Sequence, residues 1–135
     1  MQGWKDEYSV GIQIMDDQHK EIFKLVAELK EAFEKKEKID LEYTLARMDV
    51  FALYHFASEE QLMARYAFDG LEEHTKGHQA FRDRLEVFRE KYTNFPDKEF
   101  EVAEEILSSV QEWIESHLLV LDMEYSRFIL AKMDK

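Results

Sequence analysis

Apolar residues recur at three- and four-residue intervals along four long stretches of this chain, the spacing that lines one face of an α-helix. In the first stretch Ile22, Phe23, Val26, Leu29 and Phe33 share a face. Asp16 or Asp17 is expected to cap its start, and the pattern runs out in "EKKEKID". The second begins near Leu41 and carries Leu45, Met48, Ala52, Leu62 and Met63. Its end is expected around "AFDG", with Gly70 in a left-handed turn position. The third holds Leu71, Phe81, Leu85, Phe88 and Tyr92 until Pro96 in "TNFPD", which cannot continue a helix. The fourth runs from about Asp97 through Ala103, Ile106, Val110 and Ile114. Residues before about 16 carry no such pattern. These stretches predict an all-α fold: an up-down-up-down four-helix bundle with a non-helical N-terminal arm, as one domain over residues 1–135.

Composition narrows the partners. Four glycines and one proline against 36% charged residues fit long helices with few turns. A formal net charge of −12 repels phosphate backbones and anionic bilayers, so no nucleic-acid partner is expected. No run approaches the ~20 apolar residues of a membrane span, so no membrane insertion is expected either. "MQGWKDEYSV" has neither a basic n-region nor an apolar h-region; the expectation is no signal peptide and a place in the cytoplasm. The absence of cysteine removes disulfides and thiolate metal sites.

The five histidines change the picture, because every one falls on an inward stripe. His19 lies three before Ile22, His55 three after Ala52, and His117 three after Ile114, while His74 and His78 share the stripe of the third helix. A single imidazole on an apolar stripe is ordinarily a core residue with a satisfied partner; five of five, on four helices, are not accounted for that way. Glu59 sits one turn after His55 and faces inward with it, whereas its neighbour Glu60 is expected to be solvated. An unpaired buried carboxylate is costly or protonated, and a cation between the helices would satisfy it and the imidazoles together.

Imidazole and carboxylate suit zinc, iron, copper or nickel. Five imidazoles with one or two carboxylates are too many for one tetrahedral ion and fit two ions that share ligands. "HTKGH" lacks the Glu of the HExxH zinc helix, and no His has a Glu three residues before it, as ferritin-like bundles require. The nearest approach is Asp16, three before His19. Asp122 follows His117 by five residues, a rotation of ~500° that leaves the two side chains ~140° apart on a regular helix. On spacing alone it reads as a surface residue, unless the backbone opens into a π-type turn within residues 117–122.

Taken in order, His19, "HFASE" (His55, Glu59), "HTKGH" (His74, His78) and "HLLVLD" (His117, Asp122) resemble the ligand pattern of the hemerythrin family at all seven positions. The long interval between His78 and His117 resembles its bacterial single-domain members, and the likeness spans nearly the whole chain from Trp4 onward. The resemblance implies a non-haem di-iron centre. His74, His78 and His117 would bind one iron, and His19 and His55 the other. Glu59 and Asp122 would bridge the pair with an oxo or hydroxo group. About eleven of the roughly twelve coordination positions would then be filled, leaving one open on the two-histidine iron for O2. It moves Asp122 from the surface to the site, and it makes Trp113, Ile114 and Leu119 the lining of an O2 pocket.

Reversible O2 binding for storage, delivery or sensing is the activity so implied, without catalysis. A delivery role implies an O2-consuming protein partner. No inward-facing acid or base beyond the two bridging carboxylates stands ready for substrate chemistry, and Asp49, one position off the Met48–Ala52 line, is expected to be solvated. The same centre also leaves room for a di-iron enzyme (an oxidase, peroxidase or nitric-oxide scavenger) and for an iron store.

Overall fold

The computed structural model describes residues 3–133, so Met1, Gln2, Asp134 and Lys135 of the expected 1–135 domain lie outside the described residues. Long helices dominate: α1 (Gln13–Glu34), α2 (Leu41–Arg65), α3 (Leu71–Asn94) and α4 (Glu99–Trp113). A π-helical segment, Ile114–Leu121, follows α4 and leads directly into α5 (Asp122–Met133), with right-handed helical backbone at both junctions. α1 packs against α2 and α4, and α3 packs against α2 and α4, the contacts of a helical bundle. The described residues contain no strand, and no described helix is long and apolar enough to cross a membrane.

The helix ends differ in detail from the expected ones. α1 starts at Gln13, before the aspartates expected to cap it. Asp16 lies inside the first turn and reaches back, accepting the Val10 N–H at 2.8 Å and the Ser9 hydroxyl at 2.5 Å. It therefore supports the helix start without occupying the cap position, and Asp17 is exposed. At the other end Lys36 takes a left-handed φ of 55°, and the Glu37 N–H bonds to the Ala32 carbonyl at 3.0 Å, closing a Schellman turn.

α2 ends the same way, and here the expectation for Gly70 fails. Ala67 takes the left-handed position (φ 53°), with the Phe68 N–H bonded to the Met63 carbonyl at 2.9 Å. Gly70 has an ordinary φ of −83° and precedes α3. Its lack of a side chain serves space instead, since a Cβ there would lie 2.5 Å from the Phe68 ring. Pro96 ends α3 as expected and forms a 3₁₀ turn, Pro96–Lys98, which delays α4 to Glu99.

Residues 3–12 contain a 3₁₀ turn, Asp6–Tyr8, and no α-helix. Their aromatic residues lie on α1: Tyr8 stacks on Phe23 at 5.4 Å and Trp4 meets the same ring edge-on at 5.6 Å. The main apolar cluster includes Ile22, Leu45, Phe56, Phe81, Leu85, Ile106 and Leu118, all buried, each stabilising the fold by about 1.5–3 kcal/mol. A smaller cluster of Met63, Tyr125 and Ile129 packs with Ile12, Phe68 and Leu71. Along the chain, the buried histidines and carboxylates lie between residues of the first cluster and residues of the second.

Candidate metal centre

Helical spacing delivers most of the centre. His55 and Glu59 are one turn apart on α2, His74 and His78 one turn apart on α3, and His19 projects from α1. All seven side chains singled out by the sequence come together, and none is more than 3% exposed. The five imidazoles converge through Nε2 on the oxygens of Glu59 and Asp122.

Asp122 reaches the same place because the backbone is irregular where it must be. Its N–H bonds to the His117 carbonyl, five residues back, within the π-helical run. The wider turn closes part of the ~140° gap that a regular helix would leave. The expected π turn is therefore present, and it begins three residues earlier, at Ile114.

Each carboxylate divides its oxygens between two groups of rings. Glu59 Oε2 lies 2.6 Å from His74 Nε2 and 3.2 Å from His78 Nε2, while Oε1 faces His55 in a close ion pair and His19 at 3.7 Å. Asp122 Oδ1 lies 2.8 Å from His74 and 3.4 Å from His117, while Oδ2 lies 3.1 Å from His19 and 3.7 Å from His55. Two donor sets result: Glu59, His74, His78 and His117, and His19, His55, Glu59 and Asp122. Within each set the donor atoms all lie within 4.8 Å of one another.

The chemistry of this cluster fits a cation. Glu59 Oε1, both oxygens of Asp122 and His117 Nε2 are buried without a hydrogen bond among the described residues, a costly arrangement unless a positive charge sits among them. The electrostatics of the cluster favour protonated His55 and His74 rings beside ionised carboxylates. Burial pulls the His55 and His74 rings down, but contact with Glu59 and Asp122 raises both to about 9. Burial likewise pushes the Glu59 carboxyl up, and the His55 charge together with hydrogen bonds from His19, His55 and His74 outweighs it, holding Glu59 well below its ordinary range. Asp122 is held low by His117, His19 and His55 against both burial and the Glu59 charge. His117 is lowered by burial.

Two outer contacts hold ring nitrogens that face away from the cluster. His55 Nδ1 lies 2.7 Å from Gln18 Oε1, and His78 Nδ1 lies 3.2 Å from Glu60 Oε1. Glu60 is thus half-buried and engaged, where a solvated side chain was expected; the pairing with α3 turns it toward His78. Asp49 is exposed as expected and pairs with Arg89.

Aromatic rings form the walls. Phe56 stacks on His78 at 3.9 Å with a 7° tilt, Phe51 on His55 at 5.0 Å, and Trp113 on His117 at 4.8 Å. Tyr125 meets His74 edge-on at 5.0 Å. Ile114 is fully buried, and Leu119 is half-buried against the main apolar cluster. Sequence reading missed Phe51, Phe56, Gln18 and Tyr125 as neighbours of the site. Phe51 offered a signal, four residues before His55 on the same face; Gln18, beside His19, offered none from periodicity.

A family model described as "Hemerythrin HHE cation binding domain" matches residues 10–129. A bacteriohemerythrin of Clostridium acetobutylicum is 30% identical over 129 residues, which cover 90% of this chain and 96% of that protein. A bacteriohemerythrin of Pseudomonas aeruginosa is 29% identical over 122 residues, covering 90% of this chain and 77% of its own. A myohemerythrin of Riftia pachyptila is 30% identical over 122 residues, covering 90% and 88%. With five inward histidines and two buried carboxylates among its helices, the chain belongs to the hemerythrin HHE cation-binding family.

Proposed function

We propose that this protein binds O2 reversibly at a non-haem di-iron centre, for storage, delivery or sensing. The observation that carries the reading is the division of two buried carboxylates between unequal sets of rings, three histidines on one side and two on the other. Glu59 and Asp122 would be shared by the two ions, together with an oxo or hydroxo group. His74, His78 and His117 would hold one iron, and His19 and His55 the other. The iron pair, when bound, supplies the reversible redox chemistry that O2 capture needs.

The protein's own part is geometric and dielectric. Two rings instead of three leave one side short of a donor, so a small ligand has a position to occupy. Phe51, Phe56 and Trp113 stack on ligand rings, and with Ile114 and Leu119 of the main apolar cluster they would line an O2 pocket from which water is excluded. The order of the two apolar clusters along the chain reverses from each helix to the next, which supports an up-down-up-down bundle in a single domain. Residues 3–12 are then the non-helical arm laid on α1.

The test is an optical spectrum of the iron-loaded protein, deoxygenated, exposed to O2 and deoxygenated again. A visible band that appears with O2 and vanishes on its removal supports the reading. Irreversible oxidation with turnover of a substrate would make the protein an enzyme, and retained iron with no O2 response would make it a store.

A further inference from the structure

The nitrogens that face away from the centre are not supported alike. Ser58 Oγ donates to the Tyr54 carbonyl at 2.7 Å, so only its lone pairs face Gln18, whose Nε2 donates to it at 3.2 Å. The Gln18 carbonyl oxygen must then face His55, and His55 Nδ1 donates to it. Glu60 offers only acceptors, so His78 Nδ1 donates to a carboxylate. With a metal bound, both rings would offer it a bare Nε2, yet one is backed by a neutral amide and the other by a negative charge. The remaining ring of the two-histidine side, His19, has a buried Nδ1 with no hydrogen-bond partner among the described residues.

Resting on the two-ion reading above, we infer that Gln18 and Glu60 are positioning residues that make the two halves unequal, with Glu60 strengthening the three-histidine side. A carboxylate on Nδ1–H fixes the ring orientation and makes Nε2 a more basic donor than an amide does, and such outer partners typically matter ~10–100-fold in metal affinity. His78 is therefore the stronger anchor. The two-histidine side, with one amide-backed ring and one unbacked ring, holds its ion more loosely and yields more readily to an incoming ligand.

The probe is Co(II) titrated into the metal-free full-length chain, followed by calorimetry and by the visible bands of the bound ion. The parent protein should bind two ions in unequal steps. Glu60→Gln, conservative and half-exposed, should weaken the tighter step ~10–100-fold and leave the weaker step in place. Gln18→Glu should strengthen the weaker step and narrow the gap. In the Zn(II)-loaded protein, the proton signal of His78 Nδ1–H should move in Glu60→Gln, a response that loss of packing alone would not give. Two steps unmoved in Glu60→Gln, or a loss confined to the weaker step, would overturn the inference while the two-ion site stands. A parent protein that binds fewer than two ions would overturn the site reading and the inference with it.

Discussion

Gly77 leaves its side-chain space to His117: a Cβ at this position would stand 2.6 Å from Nδ1 of the ring and 2.8 Å from Cε1. Alanine is the better helix former by about 1 kcal/mol, but forcing atoms into a packed site costs about 1–3 kcal/mol. The clash should win. Gly77→Ala is expected to weaken metal binding on the three-histidine side by roughly tenfold, on the order of 1.4 kcal/mol. Metal titration with thermal melting checks this; unchanged affinity with a raised Tm would show that the ring moves aside freely.

Removing ligands should have unequal consequences. Glu59 touches both donor sets, so Glu59→Ala is expected to lose at least one ion per chain by elemental analysis. His19 belongs to the two-histidine set alone, so His19→Ala should abolish the O2 response while the other ion remains. Full iron content and a normal oxygenated spectrum in His19→Ala would show that the sides are wrongly assigned.

Phe56 ties the core to the centre, fully buried and stacked face to face on His78. Truncating a buried phenylalanine typically costs about 3–5 kcal/mol. Phe56→Ala is expected to lose stability in that range by chemical denaturation of the metal-loaded protein. A loss under about 1 kcal/mol would mean that the ring is not a core element.

Metal and protons compete for the cluster. His55 and His74 stand at about 9 in the metal-free protein, above their ordinary 6.5. A raised folded-state value stabilises the fold fully below pH 6.5, and that stabilisation disappears as pH rises through about 9. Glu59 and Asp122, held low, contribute above their ordinary values of 4.5 and 3.8 and lose that contribution only in strong acid. His117, lowered by burial, opposes folding below 6.5, one ring against two. The Tm of the metal-free protein is therefore expected to fall between about pH 6.5 and 9, while the metal-loaded protein holds its Tm across that window. Metal loading near neutral pH should release about two protons, readable with an indicator dye in weak buffer. Loading without proton release would contradict protonated His55 and His74 rings.

The sequence was legible where structure is local. Three-and-four spacing located the long helices, and the same spacing turned His19, His55, Glu59, His74, His78 and His117 inward. Asp122 was illegible by spacing, because its place depends on a backbone departure from the period that spacing assumes. Ala67 and Lys36 in left-handed positions could not be read either, since neither residue type favours that conformation and tertiary packing overrides the preference. Gln18 with His55, and Glu60 with His78, are pairs between helices that no single-helix pattern encodes.

The π-helical segment also divides the last helical rod into two phases. From Asp122 onward, side chains point about one residue's rotation, ~100°, away from where the period of α4 would send them. Asp122 shares the direction of His117 only in this shifted phase. Deleting one exposed residue, Val120, would restore an unbroken α-helix with a more regular hydrogen-bond ladder. The straightened helix would swing the Asp122 carboxylate away from the other ligands, so that here better secondary structure means a dismantled centre.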